Sequence, residues 1–135
     1  MEIRGISNPI DIAISGLRVE STRMNVIAEN IANASTTRTP SGEPYRRQDL
    51  LLSTSDGGIS GVRLEDVVAD RATDFRTVHQ PGHPDADANG FVQMPNVELP
   101  MEMMNLVSAS RAYEANAAVM KQYKEMMEVA IELLR

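Results

Sequence analysis

The stretch that decides the fold is Met101-Glu-Met-Met-Asn-Leu-Val-Ser-Ala-Ser-Arg-Ala-Tyr-Glu-Ala-Asn-Ala-Ala-Val-Met-Lys-Gln-Tyr-Lys-Glu-Met-Met-Glu-Val-Ala-Ile-Glu-Leu-Leu-Arg135, which contains neither Gly nor Pro. Met103, Leu106, Ser110, Tyr113, Ala117, Met120, Lys124, Met127, Ile131 and Leu134 recur at alternating steps of three and four, and only Ser110 and Lys124 are polar. That spacing lays one apolar seam along a helix, and its 3.5-residue period favours packing against a second long helix. At 1.5 Å per residue the helix spans about 50 Å, longer than a compact domain of this size is wide. It needs a partner to cover it.

Working outward, the matching seam lies near the N-terminus. Asn8 is a candidate cap, Pro9 suits a first helical position, and Asp11 complements the helix dipole. Ile10, Ala13, Leu17, Met24, Ile27 and Ile31 then fall on a heptad row interrupted only by Glu20, with Ile12, Val19 and Val26 flanking it. Gly16 is costly inside a helix but lets a neighbour approach closely. The helix is expected to end near Asn30–Asn33, since Asn tolerates a left-handed C-cap. Its seam is about a dozen residues shorter than the C-terminal one.

Between the helices, residues 36–95 hold six of the eight Gly and five of the seven Pro. Short strands are expected at Gln48–Ser53, Val62–Val68, Phe75–Val78 and Phe91–Met94, with Ser55-Asp56-Gly57-Gly58 turning between the first two. Val62, Leu64 and Val68 alternate with Arg63, Glu65 and Val67 as a half-buried strand requires. Pro95 and Pro100 bracket entry to the last helix, where Glu98 and Glu102 suit its start and Arg135 its end. The fold class is therefore mainly α with a small β insert. Residues 8–34 and 98–135 form long helices paired as a coiled-coil-like hairpin, and residues 35–97 form a small β-rich and loop domain.

Composition excludes several functions. The chain has 135 residues, 4% aromatics, no Trp and no Cys, so neither a large aromatic core nor a thiolate site is available. Its net charge is −6; residues 1–50 balance, with six basic and six acidic groups, and the excess acid lies beyond. No basic stripe points to nucleic acid or to a membrane surface. No segment is long and apolar enough for a membrane span, and Met1-Glu-Ile-Arg4 does not open a Sec-type signal.

Candidate chemistry is thin. Asp85-Ala-Asp-Ala-Asn-Gly90 resembles half of an EF-hand loop, but its twelfth position is Asn96 and Pro84 precedes it; a polar turn with left-handed Gly90 is the better reading. His79 and His83 are four apart, yet Pro81 and Gly82 between them preclude a helix that would align the rings. Asn33-Ala-Ser35 matches a glycosylation sequon without a secretory context. No nucleophile elbow or phosphate loop is present. The expectation is a protein with no catalytic residues, metal, cofactor, nucleic acid or small-molecule substrate. The Met residues beyond position 100 are read as packing rather than as a promiscuous surface.

Val26-Ile-Ala-Glu-Asn-Ile-Ala-Asn33 followed by Thr36-Thr37 resembles the N-terminal signature of the bacterial flagellar rod and hook family. Three further stretches resemble its proximal-rod members: Thr39-Pro-Ser-Gly-Glu-Pro-Tyr-Arg-Arg-Gln48, Pro81-Gly-His-Pro-Asp through Val97, and Glu102-Met-Met-Asn-Leu with Ala109-Ser-Arg-Ala-Tyr-Glu-Ala-Asn116. The signature residues are Asn30, Asn33, Thr36, Tyr45, Arg46, Arg47, Pro81, His83, Pro84, Asn96, Arg111 and Asn116; the short lead Met1–Ser7 has no assigned role.

The resemblance implies a structural subunit of the basal-body rod, exported without a cleavable signal peptide and assembled across the periplasm. Its terminal helices would form an inner layer around an export channel. Copies of itself, the rod proteins FlgB, FlgF and FlgG, the adaptor FliE and the flagellar type III export apparatus are the implied partners. Ile10, Leu17, Met24, Ile27, Ile31, Met103, Leu106, Tyr113, Ala117, Met120, Met127, Ile131 and Leu134 would be helix-seam and subunit-interface positions. Asn33 and the Tyr113–Asn116 stretch are expected to contact neighbouring backbone, and the free monomer is expected to have largely disordered termini that fold on polymerisation. A cytoplasmic coiled-coil adaptor that binds a partner helix is the alternative.

Overall fold

The computed structural model describes residues 9–54 and 61–134. The expectations for Asn8, for the Ser55–Gly58 turn, for Arg135 and for the Met1–Ser7 lead fall outside them. Helix α1 runs Pro9–Ala32 and helix α2 runs Leu99–Leu133, 24 and 35 residues long. Pro at the start of each is tolerated because the first helical N–H groups have no intrahelical acceptor. Glu98 caps α2 through its extended backbone, without a side-chain bond.

The C-terminus of α1 corrects an expectation. No described residue other than glycine has positive φ, so no left-handed Asn closes the helix. Asn33 instead caps with its own right-handed backbone: its N–H and its side-chain amide both donate to the Glu29 carbonyl, at 3.0 and 2.9 Å. That amide also accepts from the Thr36 hydroxyl, so the sequon side chain is committed within its own chain.

Between the helices stand two separate two-stranded antiparallel sheets. β1 (Gln48–Thr54) pairs with β2 (Val62–Ala69), and β3 (Arg76–His79) pairs with β4 (Phe91–Met94). The register of the first pair shifts between Leu51 and Leu52, leaving Glu65 as an extra residue on β2. A bulge reverses the alternation of faces. Leu64, Val67 and Ala69 are therefore the half-buried residues, while Val62 and Val68 are exposed, contrary to simple alternation.

The two helices lie side by side and run in opposite directions. A Cβ added at Gly16 would sit 2.7 Å from the Asn116 side-chain nitrogen, and Asn30 donates to Glu102 at 3.2 Å. Fourteen residues separate these contacts on each helix, in opposite senses. α1 thus covers α2 only to about Tyr123. The hairpin β1–β2 covers another flank of α1: Ser15 Oγ donates to the Ile12 carbonyl and accepts from the Val62 N–H, beside Gly61 at φ 88°. For that reason the flanking residues Val19 and Val26 are buried, whereas Ile10, Leu17, Met24 and Ile31 of the expected seam are only half-buried. The core is small and built from aliphatic side chains such as Ile27, Val92 and Val97.

Candidate functional site

Two features stand out, a buried polar junction where the insert meets the helices and a long uncovered face of α2. The junction is built on Asn30, which is fully buried inside α1 rather than capping it. Its carbonyl oxygen accepts from the Gln48 N–H (2.8 Å) and the Tyr45 hydroxyl (2.9 Å). Its amide nitrogen donates to the Gln48 carbonyl (2.9 Å) and to Glu102 Oε2. One side chain thereby pairs with both backbone groups of Gln48, as a neighbouring strand residue would. It anchors the first residue of β1 to α1.

Glu102 lies one turn into α2 and is 1% exposed. Arg47 Nε donates to its Oε1 at 2.7 Å, and Arg47 Nη1 bridges to the exposed Asp49 at 3.0 Å. Burial alone would lower the affinity of Arg47 for its proton. The hydrogen bonds to Glu102 and Asp49, with their charges, outweigh this and hold it above the ordinary arginine value. The Tyr45 hydroxyl is pushed above its usual value by burial first, then by the charges of Glu29 and Glu102.

Asn96 completes the junction. Its oxygen accepts from the Arg47 N–H (2.8 Å), and its nitrogen donates to the Asp70 and Thr73 carbonyls (both 3.1 Å). Arg46 stacks over Phe75 at 4.1 Å. Asp70 is held below the usual carboxylate value by the Thr73 hydroxyl first, helped by backbone N–H groups. Four signature residues, Asn30, Tyr45, Arg47 and Asn96, thus share one network with Glu102, which Asn30 and Arg47 bond directly, and Asn33 and Thr36 lead the chain into it. Scattered in sequence, they read as caps and motif markers; Glu102 read as a dipole charge that opens one of the family stretches.

The remaining signature residues lie elsewhere. Pro81 packs against Gly90, whose φ is 79°, and His79 tilts over Phe91 at 5.0 Å. His83 Nδ1 accepts from the Asp85 N–H, and Pro84 is exposed. Asp85 is taken by the Thr37 hydroxyl (2.7 Å) and Arg38 (3.0 Å), while Asp87 Oδ1 accepts from the Asn89 and Phe91 N–H groups. With Asn96 engaged at the junction, the EF-hand-like count does not describe one loop. The segment is a turn clasped to the residues after α1.

On α2 the row facing α1 comprises Glu102, Asn105, Ala109, Ala112, Asn116 and Tyr123, all buried or half-buried. It lies one residue away from the row of large side chains. Leu106 and Met120 flank it half-buried, but Met103, Tyr113, Ala117, Met127, Ile131 and Leu134 are exposed. Met104, Val107, Met126, Val129 and Leu133, on further sides of the helix, are also exposed, Met104 to 68% and Leu133 to 82%. Arg111 lies among them, in a shallow groove with Met103, Met104 and Val107. An arrangement of satisfied polar groups and uncovered aliphatic surface suits packing against other chains. Among the described residues, no helix is long and apolar enough to cross a membrane.

Comparison with known proteins agrees with this architecture at both ends. The family described as flagella basal body rod protein matches residues 10–38, and the C-terminal family of flagellar basal body rod FlgEFG proteins matches residues 88–133. Flagellar basal-body rod protein FlgC of Escherichia coli O157:H7 is 43% identical over 89% of this chain and 91% of its own. The protein of the same name from Borreliella burgdorferi is 38% identical over 97% and 99%, and that from Bacillus subtilis 36% over 92% and 95%. These matches leave the cytoplasmic-adaptor alternative without support.

Proposed function

Because the chain belongs to the FlgC family of flagellar basal-body rod proteins, and so is a structural subunit of the rod, we propose how it builds that rod. Its terminal helices pack in a coiled-coil-like manner with those of neighbouring subunits into a hollow shaft that transmits torque and surrounds the export channel. The neighbours are copies of itself and the rod proteins FlgB, FlgF and FlgG, with FliE at the membrane ring. The chain reaches the periplasm through the flagellar export apparatus.

The observation that carries this reading is the uncovered length of α2. Met126, Val129, Ile131 and Leu133 are 62%, 56%, 63% and 82% exposed and lie beyond the reach of α1. Side chains of this size left in water forgo about 1.5–3 kcal/mol each relative to full burial, so several together favour association. The small domain 35–97 is tied to the helices through Glu102 at the start of α2, at the other end of the helix from this face. In the dilute chain the helix end has no cover, and its order is completed on assembly.

The test is to place charge on this surface. Met126→Glu with Val129→Glu, both exposed, should leave the purified chain folded while abolishing co-purification with basal bodies and motility. Normal rods and swimming in that variant would overturn the reading.

A further inference from the structure

The helix pair carries a register problem. α2 is 35 residues long and α1 only 24, so α1 has room to slide by one heptad along α2 and remain on helix throughout. The facing side carries the small residues Ala109 and Ala112, with exposed Val119 at its edge and Met120 flanking it, so hydrophobic pattern alone does not choose between positions.

Two polar layers differ from this background. At one, Asn30 and Glu102 bond at 3.2 Å in a site where both side chains are buried. At the other, the half-buried Asn116 amide lies directly over Gly16, with its nitrogen 2.7 Å and its Cγ 3.0 Å from where a Cβ would be. Among the described residues that amide has no hydrogen-bond partner, so its fit to Gly16 is one of shape. The layers are two heptads apart on both helices and are satisfied in the same register.

We propose that these two layers, Asn30 with Glu102 and Gly16 with Asn116, select the register of the helix pair against a heptad slip. A slip by seven residues toward the C-terminus of α2 brings the ring of Tyr123 onto Gly16, where the present space holds only an amide. It also sets Asn30 opposite Ala109, where the amide that donates to Glu102 faces a methyl group instead, and draws Glu102 away from Arg47. Polar residues at single seam positions are the best-attested devices for fixing helix register. Asn116 and Glu102 are positioning residues in this account, independent of whether the chain builds a rod.

The absence of Cys makes the test direct. Two full-length versions are made, one with Glu20→Cys and Ala112→Cys, which face one another in the native register, and one with Glu20→Cys and Val119→Cys, which meet only after a slip. Each is treated with a short dimaleimide. The parent should crosslink through the first pair and only at background through the second. In Glu102→Leu with Asn116→Leu, the second pair should rise at least tenfold while circular dichroism shows unchanged helix content. A second-pair yield that stays at background in this variant overturns the proposal. Should the doubled variant lose its helices, Asn116→Leu alone is the deciding variant: a rise in the slipped crosslink supports register selection, and none overturns it.

Discussion

Replacing Arg47 by Met removes the principal partner of a carboxylate that is 1% exposed and leaves it only the Asn30 amide. Removing one member of a buried pair costs about 3–5 kcal/mol, because the remaining charge stays out of water uncompensated. A domain of this size has about 5–15 kcal/mol of stability in total, so Arg47→Met should cost about a fifth of it or more. At about 4 °C per kcal/mol the midpoint of thermal unfolding should fall by about 12–20 °C. The comparison with Arg38→Met decides whether burial is the cause. Arg38 also bridges a carboxylate at 3.0 Å, but it is 69% exposed, and such pairs contribute about 1 kcal/mol or less.

The decisive step is the double replacement. Arg47→Met with Glu102→Met removes both charges and should be more stable than the sum of the single losses by about 2 kcal/mol or more, read from urea unfolding of all four proteins. Single losses that add within about 0.5 kcal/mol would show no coupling. That result would refute the claim that Arg47 and Glu102 act as one buried unit.

Asn30→Ala should cost about 3–5 kcal/mol, since it strips partners from the Tyr45 hydroxyl and both backbone groups of Gln48. Asn30→Asp should be worse, because an oxygen replaces the nitrogen that faces Glu102 and the Gln48 carbonyl; equal urea midpoints for the two would contradict the assigned bonds. Tyr45, raised in the folded chain, binds its proton more tightly there than when unfolded. Its contribution is complete below the ordinary value of 10.0 and is lost as pH climbs through the raised value. Wild type should therefore lose stability above pH 10.0 more steeply than Tyr45→Phe in parallel denaturation curves.

The architecture was legible because its signals are local. Pro9 and Pro100 mark helix starts, the Gly/Pro-rich middle marks the insert, and Phe91–Met94 falls where its residues alone place it. What escaped depends on contacts across the chain. The helix seam lies one residue from the row of large side chains because Gly16, Ala109 and Ala112 allow close approach, which hydropathy undervalues. The faces of β2 were misread because Glu65 is extra to the ladder, a fact of pairing rather than of composition. Asn30 read as a cap because Asn commonly is one; its burial follows from Gln48 and Glu102, 18 and 72 residues away. Reading the row Glu102, Asn105, Ala109, Ala112, Asn116 as the contact face would have exposed a carboxylate in need of a partner.

The central claim is that α2 beyond Tyr123 is an assembly surface whose order depends on neighbours. Amide hydrogen exchange, followed by mass spectrometry in the dilute chain and in isolated rods, tests it most directly. The account predicts rapid exchange for residues 124–134 in the dilute chain, slower exchange around Ala109, where α1 already covers the helix, and protection of both in the rod. Residues 124–134 exchanging as slowly in the dilute chain as in the rod, or remaining unprotected in the rod, would contradict it.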